Sequence, residues 1–154
     1  MTARHSKLMV LPLLVTLLGL GACGGGGGGQ SAASAKQEIT TTWVAFFGGK
    51  GSIDQLQDGS TLQQAYQANL NSPLAKSTTA KVNAVSVLAA NACGTNGVPS
   101  PCAEVTYDLQ AGGQTVLPGA KGYATKQNGK WKVSKTTFCS LLQLAGAGQA
   151  PPGC

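Results

Sequence analysis

Proton transfer in this chain would have to use carboxylates and phenols, because its only histidine is His5, within the first nine residues. Sites that pair an aspartate with a tyrosine are able to move protons without histidine. Such a pair would have to come from eight side chains. They are Glu38, Asp54, Asp58, Glu104, Asp108, Tyr66, Tyr107 and Tyr123.

The most promising acids and phenol of this set point away from each other. Side chains alternate between the faces of a strand, so Glu104 and Asp108 share one face while Tyr107 lies on the apolar one. Asp54 and Asp58 fall in a short polar turn, where turn chemistry explains acidic residues. We therefore expect a protein that is not an enzyme and has no cofactor.

A lipoprotein signal peptide is predicted over residues 1–22. A basic head is followed by the apolar run Leu8 to Leu20, which is shorter than a membrane-spanning helix. Leu20-Gly21-Ala22-Cys23 resembles the bacterial lipobox. The resemblance implies cleavage after Ala22 and a diacylated, palmitate-bearing Cys23 at the outer face of the cell membrane. Ordinary secretion is the alternative, and Leu20 disfavours it because a small residue is preferred at that position.

Residues 23–35 are predicted to be the lipidated cysteine and a Gly/Ser-rich tether. The glycine run 24–29 has no preceding strand and no following Gly-Lys-Ser/Thr, so a phosphate-binding loop is disfavoured. A flexible segment of this kind has a mean reach of roughly 20 Å. The remaining residues, 36–154, are long enough for one domain.

Four cysteines remain after lipidation, and an even number in an exported protein indicates two disulfides. Three pairings are possible. We favour Cys93–Cys102 and Cys139–Cys154 because each closes a local loop rich in glycine and proline. A zinc site is disfavoured, since no Cys-x-x-Cys pair is present and the only histidine lies in the signal peptide.

The formal net charge is +6, and five lysines cluster around one predicted hairpin: Lys121, Lys126, Lys130, Lys132 and Lys135. The cluster fits either anionic lipid head groups or a solvated face whose lysines protect a sheet edge. We favour the solvated face. Nucleic acid is not expected as a partner, because the only arginine, Arg4, lies in the signal peptide.

Apolar periodicity predicts helices first and strands second. Ile39 and Trp43 recur along one helical face after a capping box at Ser34. From about Lys81 the period changes to two, and Asn128-Gly129 is a strong hairpin signal. N-terminal helices packed on a curved antiparallel sheet of about four strands predict an α+β fold.

Three segments of this pattern are less regular. In the first strand Val82 and Ala84 alternate with Asn83 and Val85, so its buried face is ambiguous. Pro118-Gly119 indicates an edge or a bulge in the third strand. Residues 141–144 are expected to form a short apolar tail.

Four segments carry a family resemblance: Val105-Thr106-Tyr107-Asp108-Leu109, Val116-Leu117-Pro118-Gly119, Trp131-Lys132-Val133-Ser134-Lys135 and Phe138-Cys139-Ser140-Leu141-Leu142. Over roughly residues 36–144 the chain resembles the C-terminal domain of the actinobacterial low-molecular-weight secreted antigen family. The resemblance implies an NTF2-like or cystatin-like fold. It implies no established reaction.

A pocket between the helices and the sheet would be lined by aromatic side chains. The candidates are Trp43, Phe47, Tyr66, Tyr107, Tyr123 and Trp131. A domain with so few aromatics needs most of them for its core, and we favour that role. We expect a lipid-anchored, non-catalytic binding or interaction module, with the membrane, an envelope protein or an apolar ligand as partner. The alternative is a lipid or small-molecule carrier, or an enzyme, that uses an NTF2-like cavity.

Overall fold

The computed structural model describes residues 31–146 and 148–154. The predicted signal peptide over residues 1–22, the lipid-attachment residue Cys23 and most of the predicted tether lie outside the described residues. Within them, no helix is long and apolar enough to cross a membrane.

Helix α1 spans Ala32–Phe47 and begins before the expected domain boundary at residue 36. Its N-cap is Ser31, whose side chain accepts a hydrogen bond from the Ser34 amide at 3.2 Å. Ser34 is therefore inside the helix and is not its cap. The tether expected to extend to residue 35 is correspondingly shorter, because Ala35 is already buried in the core.

Two further helices complete the N-terminal half. Short 3-10 turns over Ile53–Gln55 and Gly59–Leu62 lead into α2, Gln63–Leu70. Helix α3, Pro73–Ser77, follows at once, capped by the side chain of Ser72. The proline therefore ends one helix and starts the next.

A four-stranded antiparallel sheet follows, with strand order β1-β2-β3-β4. The strands are β1 Thr78–Val87, β2 Cys102–Ala111, β3 Gln114–Gln127 and β4 Lys130–Val133. The last hairpin turns at Asn128-Gly129, where φ is 54° and 78°. This turn confirms the hairpin prediction, because asparagine and glycine tolerate positive φ better than other residues. The α+β prediction is confirmed as well, while the NTF2-like or cystatin-like name remains an expectation.

Register shifts interrupt both ladders of β2 and accompany the curl of the sheet into a half-barrel. The β1–β2 register shifts between Val82 and Ala84, so the buried face changes phase there. This shift explains the ambiguous alternation in the sequence. The β2–β3 register shifts beyond Tyr107, opposite the predicted bulge at Pro118-Gly119.

Asp108 joins the two irregular segments. Its Oδ1 accepts hydrogen bonds from Asn83 Nδ2 of β1 at 2.9 Å and from the Gly119 amide of β3 at 2.8 Å. These bonds hold the pKa of Asp108 below its ordinary value. One carboxylate of β2, a central strand, is therefore hydrogen-bonded to both of the places where the sheet departs from regular pairing.

Three elements went unpredicted, α3 (Pro73–Ser77), α4 (Ala90–Thr95) and α5 (Lys135–Ala145). The expectation of a short apolar tail over residues 141–144 was wrong, because those residues belong to α5. The N-cap of α5 is Ser134, whose side chain accepts a hydrogen bond from the Thr137 amide at 3.1 Å. Both predicted disulfides are present: Cys93–Cys102 joins α4 to β2, and Cys139–Cys154 joins α5 to the C-terminal segment.

The main core lies between α1 and the concave face of the sheet. Ile39 and Trp43 of α1 are fully buried. They pack with Val105 and Tyr107 of β2, which confirms the inward face predicted for that strand. A smaller cluster forms around the Cys93–Cys102 disulfide with the buried Val98, and the partly buried Tyr123 packs against it.

Candidate functional site

A cavity of about 300 Å³ opens at one end of the sheet. Its walls come from the C-terminal end of α1, from α2 and α3, from α5, and from the strand ends nearest the β2–β3 turn. Most of the lining is phenylalanine and leucine. The deeper side chains include Phe46, Phe47, Tyr66, Leu109, Phe138 and Leu142.

Aromatic contacts hold the inner wall in place. The Phe46 ring meets Phe138 edge-on at a centroid distance of 5.9 Å. The Phe47 ring stacks on Tyr107 at 5.8 Å with 17° between the planes. Because Tyr107 is itself only 1% exposed, the cavity is built directly on the core. Its inner wall is therefore firmly supported.

Helix α5 supplies the other wall through its apolar stripe. Phe138, Leu141, Leu142 and Ala145 follow the spacing of one helical face and all line the cavity. Leu144 of α5 and Val116 of β3 also line the cavity. Their side chains are 72% and 55% exposed, respectively. Large apolar side chains are thus left in contact with solvent at the mouth of the cavity, where a bound molecule would cover them.

Among residues 31–146 and 148–154, those that line the cavity include no charged side chain. Its polar side chains are Tyr66, Asn69 and Thr78. The Tyr66 hydroxyl donates to the Gly51 carbonyl at 2.8 Å, and burial raises the pKa of this phenol. A phenol that is already engaged, with no carboxylate beside it, provides no acid–base pair inside the cavity.

The six aromatic residues proposed as a pocket do not form one. Phe47 and Tyr66 line the cavity. Trp43, Tyr107 and Trp131 are buried in the main core, where the close packing of the sheet against α1 requires them. Tyr123 lies against the small disulfide cluster, and its hydroxyl donates to Asn96 Oδ1 at 2.9 Å.

Sequence reasoning missed the leucines of α5 and the adjacent Phe46. The signal was available in the spacing of Phe138, Leu141, Leu142 and Ala145, which repeats at three, four and seven residues. The expectation of a short apolar tail instead covered Leu141, Leu142 and Leu144. Because the cavity depends on α5, the sequence alone does not predict where the cavity lies.

Four of the five candidate acids have structural partners. Glu104 forms a salt bridge with Lys121 at 3.1 Å. Glu38 accepts a hydrogen bond from the Trp131 amide at 3.0 Å. Asp58 accepts from the Gln127 side chain at 2.7 Å. Asp108 bonds to Asn83 and Gly119, as described above, and burial raises the pKa of the neighbouring Tyr107 to about 12. Asp54 is exposed within the first 3-10 turn.

The clustered lysines lie at the opposite end of the sheet from the cavity, or along its outer face. Lys121 is paired with Glu104. Lys126, Lys130 and Lys132 flank the Asn128-Gly129 turn, and Lys135 is the first residue of α5. Among residues 31–146 and 148–154, no group of three or more His, Cys, Asp or Glu side chains is arranged to hold a metal ion.

One comparison with known proteins gives a match. A family model described as "Low molecular weight antigen MTB12, C-terminal domain" matches residues 31–149. The matched region starts at the cap of α1 and extends beyond α5. No curated protein matches the chain, and no solved structure does.

Proposed function

The chain belongs to the family of the low molecular weight antigen MTB12 C-terminal domain, and on that premise we propose that it is a lipid-anchored envelope protein that binds an apolar ligand in its cavity. The observation that carries the proposal is a lining without a charged side chain whose outer rim leaves Val116 and Leu144 exposed. Ligand sites are typically concave and mostly apolar, with few polar groups.

Binding without catalysis is the activity that this lining favours. Of the five acidic residues, none lines the cavity. The nearest phenol, Tyr66, is engaged with Gly51. A molecule held there would meet hydrocarbon and aromatic surface, with only three neutral polar side chains to orient it.

The anchoring part of the proposal rests on the sequence Leu20-Gly21-Ala22-Cys23, since those residues lie outside the described ones. Two or three acyl chains on Cys23 would hold the protein stably at a membrane, whereas one would not. Cell fractionation tests this part. We expect the natural chain in the membrane fraction and a Cys23→Ser chain in the soluble fraction; membrane retention of the variant would contradict the anchor.

Uptake of the neutral fluorophore N-phenyl-1-naphthylamine tests the cavity. The full chain carrying Cys23→Ser is used, so that no acyl group of its own competes. We expect saturable uptake that is lost when Leu142→Trp is added, because the indole fills space next to Phe138. Native mass spectrometry of the natural chain extracted from its host is expected to show a co-purifying lipid.

Val87→Trp is the matched control for the added indole. Val87 is 43% exposed and ends β1, about 30 Å along the strand from Thr78 in the cavity lining. It is expected to keep the uptake of the parent chain. Equal uptake by the Leu142→Trp and Val87→Trp variants, with unchanged circular dichroism, would exclude the cavity as the binding site.

A further inference from the structure

Helix α2 contributes two polar side chains to the cavity lining, Tyr66 and Asn69. Residues three apart lie on one face of a helix, with Cβ atoms about 5–6 Å from each other. The Tyr66 ring is 5% exposed and contacts Phe46 and Phe138 at centroid distances of 6.1 and 6.4 Å. Asn69 is half-buried. The carboxamide is therefore the helical neighbour of a ring that belongs to the inner wall.

The Asn69 carboxamide has unused hydrogen-bonding capacity. The Tyr66 hydroxyl donates to the Gly51 carbonyl at 2.8 Å. The Asn69 side chain, by contrast, forms no hydrogen bond with any other residue that the structure describes. A carboxamide provides two N–H donors and one carbonyl acceptor. A molecule that fills the cavity displaces water from this group, so a ligand that offers a hydrogen bond in exchange is favoured.

The wall formed by α5 offers no such partner. Its lining side chains are all hydrocarbon: Phe138, Leu141, Leu142, Leu144 and Ala145. No charged side chain is found among the described residues of the lining. An ionised group inside the cavity would leave water without meeting an opposite charge, which is costly. The lining therefore suits a molecule that is uncharged and largely hydrocarbon.

These two walls deepen the function proposed above, and the inference rests on it: we propose that the cavity binds an uncharged single-chain lipid whose hydroxyl or ester oxygen hydrogen-bonds to the Asn69 carboxamide. The hydrocarbon chain lies against the leucines of α5. A volume of about 300 Å³ is at the lower end of the range for small-molecule sites, which favours one hydrocarbon chain over two.

A displacement assay on the full Cys23→Ser chain tests the preference for an uncharged ligand. Decanol, methyl decanoate, decanoate and decyltrimethylammonium compete at neutral pH with bound N-phenyl-1-naphthylamine. We expect at least one of the two neutral lipids to displace the fluorophore at about a tenfold lower concentration than either ion. The stronger neutral competitor identifies the head group as hydroxyl or ester. Because the two ions have opposite signs, the net positive charge of the chain cannot disfavour both of them.

Asn69→Leu tests the hydrogen bond. The substitution removes the carboxamide and keeps a side chain of similar size. We expect the stronger neutral competitor to require about a fivefold higher concentration, the usual effect of one neutral hydrogen bond, while the fluorophore is still taken up. Gln67→Leu is the matched control, since it removes a carboxamide from an exposed position of α2 outside the lining. It is expected to match the parent chain.

Asn69→Asp tests the position of the head group by a change of charge. The new carboxylate has nearly the shape of the carboxamide. It is expected to lower the concentration of decyltrimethylammonium that displaces the fluorophore, because the cation then meets an opposite charge in the lining. Gln67→Glu adds the same charge to α2 outside the lining and is expected to leave that concentration unchanged.

The outcomes separate the two proposals. Equal displacement by the neutral lipids and the ions, or the same neutral competition in the Asn69→Leu and Gln67→Leu chains, would overturn the uncharged ligand bound to Asn69 and leave the apolar cavity intact. An equal response to decyltrimethylammonium in the Asn69→Asp and Gln67→Glu chains would do the same. Absence of binding by the fluorophore and all four competitors would reject the proposed function itself.

Discussion

Among the individual residues, Gly122 has a packing role that no sequence pattern announces. A Cβ placed on it would lie 2.7 Å from Thr137 Cγ2 and 2.9 Å from Trp43 Cζ2. Trp43 is fully buried, so its ring has little room to retreat. The indole of α1 approaches the sheet this closely because β3 has no side chain at that point.

Gly122→Ala is expected to lower the free energy of unfolding by about 1–3 kcal/mol, the usual cost of overpacking a core. Urea denaturation followed by circular dichroism measures the change. Gly94→Ala is the control, because a Cβ there meets nothing within 4 Å and alanine is the better helix former. Equal stability of the two variants would show that Trp43 shifts without cost.

Burial of Tyr107 makes the fold sensitive to alkali. Its pKa is raised to about 12, from an ordinary value of 10.0, by desolvation. The folded state therefore prefers the neutral phenol, and the resulting stability is complete below pH 10 and lost as the pH rises towards 12. We expect the free energy of unfolding to fall by about 2–3 kcal/mol across that window.

Tyr107→Phe provides the comparison for this pH dependence, because every other group titrates in both chains. Urea unfolding at several values between pH 9 and 12 gives the two slopes. The free energy of unfolding of the variant is expected to fall less steeply with rising pH than that of the parent chain. Parallel slopes would mean that the Tyr107 phenol ionises in the folded protein as easily as it does in water.

Among the elements, those with a regular period were predictable and those set by distant contacts were not. The inward face of β2 follows from Val105 and Tyr107 alone. The face of β1 does not, because the register shift after Val82 changes the phase of the strand. That irregularity is anchored by Asp108, which is distant in sequence from β1. Only the folded sheet brings the two together.

The candidate site was less predictable than the fold, since it depends on α5. An apolar run near a glycine-rich C-terminal segment is compatible with a tail or a helix, and the hydrogen bond from the Thr137 amide to the Ser134 side chain is what marks the start of the helix. For Trp43, Tyr107 and Trp131 the favoured core role is confirmed, because the packing of the sheet against α1 needs their volume. Only Phe47 and Tyr66 of the six aromatic candidates line the cavity.

The Cys139–Cys154 disulfide is expected to stabilise the cavity wall formed by α5. The C-terminal segment that it holds runs against the turn before α2, where a Cβ at Gly153 would lie 2.7 Å from the Thr61 carbonyl oxygen. Replacing both cysteines with alanine is expected to cost about 3 kcal/mol. It should also speed amide hydrogen exchange in α5 and weaken fluorophore uptake.

Replacing Cys93 and Cys102 with alanine is the matched comparison. Those cysteines join α4 to β2, and neither lines the cavity. A similar loss of overall stability is expected, with α5 exchange and fluorophore uptake close to those of the parent. Faster exchange in α5 in both variants would mean that the whole domain loosens and that the C-terminal disulfide has no local role.

For the whole molecule, the fold class and the family resemblance predicted from the sequence agree with the structure. The predicted start of the domain at residue 36 agrees less well, because α1 begins at Ala32. One α+β domain was expected, and the family match over residues 31–149 covers nearly all of the described chain. The boundary was placed at residue 36 because the alanine and serine residues before it resemble a linker. Ser31 caps the helix instead, and Ala35 is buried, which composition alone does not reveal.

The pairing of all four cysteines in the domain has a consequence for its chemical durability. Both methionines, Met1 and Met9, lie in the predicted signal peptide, so residues 31–154 contain no thioether. The four cysteines of these residues are all joined in disulfides. The two tryptophans, Trp43 and Trp131, are at most 5% exposed. The readily oxidised groups of a protein are therefore either missing or shielded. After peroxide treatment, peptide mass spectrometry is expected to show no oxygen added to any peptide from residues 31–154, whereas addition at either tryptophan would show that the core admits the oxidant.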